Sequence, residues 1–251
     1  MGLLQIIRQK SSSVTAREKD DTIIIMKAAK GNATVIMDKK TYDEKLANLL
    51  DDRNTYMLLD KDPAKACKWE MKSLLSKMKE RINDKRYREI NTTDGITPQM
   101  YGTPKSGVPL RPIVSFIGLP TYALSKHLSF LLSPLVGKST YHVRNTEQWV
   151  ETAAEMKLDA NEELMSLDVV SLFTSIPTDV AVEVAKNRLS AEVQLRERTA
   201  LTPTDICSFC LNSIEFQCQG KYCRQIHGTA MGSLVSVVVA NLVMEHLKPK
   251  Q

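Results

Sequence analysis

Asp168 sits inside an apolar run, Glu163-Leu164-Met165-Ser166-Leu167-Asp168-Val169-Val170, that reads as a mostly buried strand. A carboxylate there is costly unless a metal ion, a basic partner or a helix N-terminus meets it. Phe173 follows five residues later, and Ile176-Pro177 closes the turn before the next predicted helix. A strand delivering a carboxylate, then a short turn and an aromatic, suits the handling of a metal and a nucleotide. The plain alternative is a strand-end aspartate held by structural hydrogen bonds.

Two further segments have chemical potential. In Gln225-Ile226-His227-Gly228-Thr229-Ala230-Met231-Gly232-Ser233, two glycines four apart precede a serine and a helix. Such a backbone lies close to a base pair or a phosphate. In Tyr101-Gly102-Thr103-Pro104-Lys105-Ser106-Gly107-Val108-Pro109-Leu110-Arg111, Lys105 and Arg111 flank a Gly/Pro turn. They could offer a triphosphate a point charge and a bidentate fork. Taken singly, these are an ordinary glycine pair and an ordinary basic loop.

The elements that must position these residues follow from pattern. Residues 1–21 read as a loose leader. Ile23-Ile24-Ile25-Met26 and Ala33-Thr34-Val35-Ile36-Met37 read as a hairpin around Gly31-Asn32. A helix is expected from about Thr41 to Asp51, and a longer one from about Pro63 to Ile82, with Met71, Leu74, Leu75, Met78 and Ile82 on one face. Residues 97–120 hold five prolines and read as an irregular hairpin with a strand edge at Leu110–Val114. Pro120 opens an apolar helix ended by Gly137. Thr178 is a candidate cap for a helix through Leu189, and Thr202 or Thr204 for one near Ile206–Leu211. Phe216 to Gln225 reads as a hairpin bent at Gln219-Gly220, and a last helix runs from Gly232-Ser233 to about Leu247.

Composition bounds the class. Hydrophobic residues are 43% and charged residues 25% of 251, as in a globular chain. The net charge is only +5, but residues 65–88 hold nine basic side chains against three acidic, a local balance of +6. That suits a polyphosphate partner, or simply a solvated helix face. Five cysteines, an odd number, fit reduced intracellular thiols better than a disulfide framework. The N-terminus lacks the pattern of a signal peptide, and the longest apolar stretch, Val235 to Met244, is about half a membrane span. An intracellular, soluble protein with no membrane partner is expected.

Together and in order, four segments closely resemble the reverse transcriptases of Penelope-like retroelements. They are Lys27-Ala28-Ala29-Lys30-Gly31-Asn32-Ala33-Thr34-Val35, Val108–Ser115, Ser166–Pro177 and Gln225–Ser233. The resemblance spans roughly residues 23–247. It implies an α/β (α+β) right-hand polymerase fold with fingers over 22–120, an incomplete palm over 121–251 and no thumb. It implies RNA-directed DNA synthesis, with RNA template, DNA primer and deoxynucleoside triphosphates as partners and Mg²⁺ as cofactor. Lys105 and Arg111 would be fingers residues on the incoming nucleotide. Asp168 would be the first metal-binding catalytic aspartate, helped by the Val169 carbonyl. Phe173 would be the gate against a ribose 2′-hydroxyl. Gln225, Gly228, Gly232 and Ser233 would belong to the template-and-nucleotide loop. Departures are Ala29 where the family has Asp, a shorter loop at Lys105-Ser106, and Leu234 where it has Pro.

Two-metal phosphoryl transfer needs more than one carboxylate. The family supplies the others from an aromatic-x-Asp-Asp hairpin downstream of the glycine loop. Here the Asp-Asp pairs are Asp20-Asp21 and Asp51-Asp52, both upstream, and Glu245 is the lone acid after Gly232. The expectation is a weak Mg²⁺ site and a chain that, as it stands, is not a competent polymerase. The last helix, apolar on most sides, is expected to expose an apolar patch. The functional alternatives are a non-catalytic nucleic-acid-binding remnant and a decayed element. A zinc site from Cys207, Cys210, Cys218 and Cys223 is a minor alternative to free, buried thiols.

Overall fold

The computed structural model describes residues 5–7, 20–29, 33–91, 95–104, 110–116, 119, 121–140, 142–210 and 214–247. It is a mixed α/β structure, 49% helix and 17% strand, with three small sheets among the described residues.

The first sheet joins β1 (Gln5–Ile7), β2 (Ile23–Lys27) and β3 (Thr34–Asp38), with β3 in the middle and both pairings antiparallel. The hairpin read from the Ile-rich runs is therefore present, though its Gly31-Asn32 turn lies outside the described residues. Within the expected leader, Gln5–Ile7 form an edge strand in register with Thr34–Ile36. Asp38 then starts α1 (Lys39–Leu50), its carboxylate accepting the Thr41 amide at 2.8 Å.

The expected long basic helix is broken. α2 (Ala64–Lys77) ends in a 3₁₀ turn over Lys79–Arg81, and α3 (Asp84–Ile90) starts afresh under an Asn83 side chain that accepts the Arg86 amide. Met71, Leu75, Met78 and Ile82 are still buried, so the apolar face survives the break. β5 (Met100–Pro104) and β6 (Leu110–Val114) form the expected Pro-rich hairpin. α4 (Tyr122–Leu132) buries Leu124, Leu128, Leu131 and Leu132 and passes through a 3₁₀ turn to Gly137, whose φ is +83°. α5 (Thr146–Glu155), α6 (Leu172–Ser175), α7 (Thr178–Ala191), α8 (Leu195–Arg198) and α9 (Pro203–Cys210) follow. Thr178 is the first residue of α7 rather than its cap; Pro177 holds the cap position. Thr202 does cap α9, its hydroxyl accepting the Asp205 amide at 3.2 Å while Asp205 accepts the Thr202 amide at 2.9 Å.

β7 (Ile214–Cys218) and β8 (Lys221–Gln225) pair through a turn with Gln219 and Gly220 both at positive φ. β4 (Tyr56–Leu59), not foreseen from sequence, adds to the other edge of β8. α10 (Leu234–His246) closes the described chain.

Two cores result. One is helical: α2, α4, α7, α9 and α10 pack around Leu75, Leu128, Leu131, Leu189, Ile206 and Leu242. The other joins α1 to the sheets through Tyr42, Leu46, Tyr56, Leu110, Val114, Phe216 and Cys223. No helix among the described residues is long and apolar enough to cross a membrane.

Residues 163–170 correct one expectation. They form no strand and are exposed throughout, Leu167 at 86% and Val170 at 84%. Apolar alternation marks what a strand would bury, but a strand also needs a neighbour's backbone to pair with. None of the described strands pairs with them.

Candidate nucleotide and template site

Immediately after Asp168 and Val169 the chain turns sharply. Ser171 takes a left-handed conformation, φ 53°, and its carbonyl accepts the Thr174 and Ser175 amides at 3.0 and 3.1 Å. This turn presents the Phe173 carbonyl outward while its ring packs against the helical core. That carbonyl receives the Thr229 amide at 2.6 Å and the Thr229 hydroxyl at 3.3 Å. The glycine loop is thereby fastened to the turn that follows Asp168.

Both glycines are required by the fit. Gly228, φ +75°, leaves no space for a Cβ, which would stand 2.6 Å from the Phe173 oxygen and from the Thr174 Cα. Gly232, φ +117°, would drive a Cβ into the Val114 carbonyl oxygen. On that side the Val114 amide donates to the Met231 carbonyl at 2.8 Å. The loop is thus held between the Phe173 turn and the β5–β6 hairpin. It also links the two cores, because Ala230 is buried in the sheet core and Val235 in the helical one.

The structure brings Phe173, Gly228, Gly232 and the Arg111-bearing hairpin into one neighbourhood. Arg111 lies on β6 opposite Thr103, half-exposed, and its guanidinium makes no hydrogen bond or ion pair among the described residues. Lys105 falls outside the described residues. Asp168 is exposed, with no hydrogen-bonding or ionic partner among the described residues, so it is not the structurally satisfied aspartate of the plain alternative. Val169 is 43% exposed beside it. Gln225 is buried, and its side-chain amide donates to the His227 carbonyl at 2.9 Å. It therefore braces the loop from inside. Ser233 is buried at the start of α10 without capping it by its side chain.

Two acids singled out in the sequence, Asp52 and Glu245, are occupied elsewhere. Asp52 accepts the Thr55 hydroxyl at 2.5 Å, the bond that chiefly holds its carboxyl below the usual carboxylate range. Glu245 accepts the Gly137 amide at 2.6 Å and lies near Arg188 and His142. Among the described residues no group of three or more His, Cys, Asp or Glu side chains is close enough to hold a metal ion. Cys207 is buried in the helical core, whereas Cys218 and Cys223 are buried in the sheet core. They are free thiols that share no centre.

Sequence reasoning missed one polar cluster. Glu215 on β7 accepts Arg224 Nε at 2.8 Å and the Cys67 thiol at 3.1 Å. The first contact is between cross-strand neighbours, since Glu215 and Arg224 are in register, and hairpin pairing could have found it. The Cys67 contact joins residues 148 apart and left no local signal. No family model matches the chain, and no curated protein matches it.

Proposed function

We propose that this chain carries the nucleotide- and template-facing part of a reverse transcriptase of the Penelope-like kind. In this reading residues 22–120 are fingers, 121–251 are part of a palm, and the partners are RNA template, DNA primer and deoxynucleoside triphosphates. The observation that supports it best is the clamping of the 226–233 loop between the Phe173 turn and the Arg111 hairpin. Segments far apart in sequence, which only the resemblance had linked, are neighbours in space. The free guanidinium of Arg111 would take the triphosphate, and the glycine loop would lie along the template base pair.

Asp168 and the Val169 carbonyl fit a single, mostly hydrated Mg²⁺, which would neutralise phosphate charge when bound. Asp168 is exposed and uncommitted, which suits this role. One carboxylate does not bridge two metals, so turnover in this reading needs a metal-binding carboxylate besides Asp168.

Affinity of the purified chain for a primer–template duplex plus a deoxynucleoside triphosphate tests the reading. Arg111→Gln is expected to weaken nucleotide-dependent retention about tenfold, the scale of removing one charge-assisted pair. Asp168→Asn is expected to remove its Mg²⁺ dependence with little change in stability. Nucleotide retention indifferent to Arg111 sinks the proposal.

The non-catalytic remnant is favoured by a separate observation. α2 exposes Lys65, Lys72 and, between them, Trp69 at 72%. These three stand at i, i+4 and i+7, on one helix face, as cations around a stacking platform. Nucleic-acid binding without any nucleotide dependence would select this reading.

A further inference from the structure

A groove runs beside α4, on a face the glycine loop does not touch. It consists of two adjoining depressions of about 290 and 430 Å³, both lined by Arg86, His127 and Phe130. Arg81 and Arg198 border the first and Lys126 the second. Phe130, at 63%, is among the most exposed aromatic side chains described. It belongs with Tyr122 and Lys126 to one stripe of α4, at i, i+4 and i+8, spanning roughly 12 Å.

The cations are arranged to receive anions. Arg81 is paired with Asp205, and Arg86 with Glu89 at 2.7 Å. Arg198 is fixed by donating to the Leu131 carbonyl at 2.9 Å and makes no ion pair among the described residues, although its charge is felt by Glu192. Lys126 has no partner among the described residues. The groove therefore keeps a positive surplus beyond its internal pairs.

We propose that this groove binds a single-stranded nucleic acid, with phosphates on Arg86, Lys126 and Arg198 and a base stacked on Phe130. The combination of a backbone-tracking basic groove and an exposed aromatic is what such a strand recognises without sequence preference. The inference rests on the nucleic-acid class proposed above but not on Asp168, Arg111 or the glycine loop.

His127 gives the site a reporter at the junction of the two depressions. Burial, and secondarily the charge of Arg86, hold its pKa below the ordinary imidazole value, with Glu89 acting the other way. Arg81, Lys126 and Arg198 add positive charge from the surrounding elements. A phosphate entering the groove offsets that charge and raises the His127 pKa.

The test is fluorescence anisotropy of a labelled twelve-nucleotide RNA against the full chain over a salt series. Phe130→Ala is expected to weaken binding about tenfold. An Arg86→Gln, Lys126→Gln double variant is expected to lower the log–log salt slope by about 1.4, roughly 0.7 for each phosphate no longer neutralised. Unfolding midpoints verify that both variants fold, and NMR titration of His127 should show its pKa rise with RNA bound. RNA binding unchanged in both variants overturns the groove. So does a Phe130-dependent dimer whose RNA affinity is unaltered, which would make the face a contact between copies. Absence of RNA binding by the wild type removes both proposals. RNA binding that depends on Phe130 while nucleotide retention ignores Arg111 keeps the groove and removes the polymerase reading.

Discussion

The backbone amide of Thr229 donates to the carbonyl of Phe173 across 2.6 Å, although 56 residues separate them in the chain. One hydrogen bond of this kind contributes about 1 kcal/mol. Its greater effect is positional. It fixes the level at which the glycine loop crosses the turn after Asp168, and the Val114–Met231 bond fixes the other end of the same loop. Three segments are thereby set relative to one another by main-chain atoms.

Substituting the loop glycines tests this clamp. Gly228→Ala meets both a left-handed backbone and the Phe173 oxygen, and Gly232→Ala meets the Val114 oxygen. Each should cost about 2–4 kcal/mol in urea unfolding, combining overpacking with backbone strain. Gly220→Ala supplies the reference. It has φ +77° but nothing within 4 Å of the added carbon, so it should lose only about 1 kcal/mol. Equal losses at all three positions would mean that conformation alone, and not close approach, selects glycine in the loop.

What could be read from sequence was local. Gly220 announces the β7–β8 turn because glycine takes positive φ at no steric cost, and Thr202 announces α9 because its hydroxyl reaches an amide three residues on. β4 escaped notice because its four residues are defined by pairing with β8, more than 160 residues later. The break after Lys77 escaped because it carries no Pro or Gly; its sign is the Asn83 cap. At 163–170 local pattern and environment disagree, as the residues have strand composition without a partner strand. In the candidate site, the glycine pair was legible by its spacing, whereas only the resemblance linked it to Phe173 and Arg111. The inward turn of Gln225 was not legible, because it depends on where the His227 carbonyl points.

Acid stability should carry the signature of Asp205. Burial opposes its charge, but the Thr202 amide and hydroxyl, then Arg81, outweigh it and hold its carboxyl below the ordinary value of 3.8. With a depressed folded pKa, the folded state binds fewer protons than the unfolded state in that range. The stabilisation is therefore complete above about pH 4 and is lost as pH falls through the folded pKa. Asp205→Asn should cost about 1–2 kcal/mol at neutral pH. In urea titrations its difference from wild type should shrink as the pH is lowered from 4 toward 2. A difference independent of pH would assign the loss to packing.

Cys67 should be a slow thiol despite its partial exposure. Burial first, and then the hydrogen bond to Glu215, push its pKa up to about 12. Little thiolate exists at pH 8, so iodoacetamide labelling of the Cys67 peptide, followed by mass spectrometry, should lag a free cysteine by about 100-fold or more on the thiolate fraction. Glu215→Gln removes the carboxylate that opposes ionisation and should accelerate labelling several-fold, while freeing Arg224 from its ion pair. Labelling at the rate of a free thiol in the folded protein would contradict the contact.

Glu245 is the lone acid after Gly232, and its surroundings assign it to structure. Its side chain is 8% exposed, one oxygen accepting the Gly137 amide at 2.6 Å and the carboxylate lying 3.6 Å from His142 and 3.7 Å from Arg188. These contacts tie the end of α10 to the Gly137 turn after α4 and to α7. Glu245→Ala leaves the Gly137 amide without its acceptor and the Arg188 charge without its ion-pair partner, and should cost about 3 kcal/mol. Glu245→Gln keeps an acceptor for Gly137 and should cost only about 1 kcal/mol. Both should leave the Mg²⁺ dependence of nucleotide retention as in wild type, because the carboxylate is buried between the Gly137 amide, His142 and Arg188. A Glu245→Gln variant that folds normally but loses that dependence would instead make this residue the second metal-binding carboxylate, and would require α10 to move when nucleotide binds.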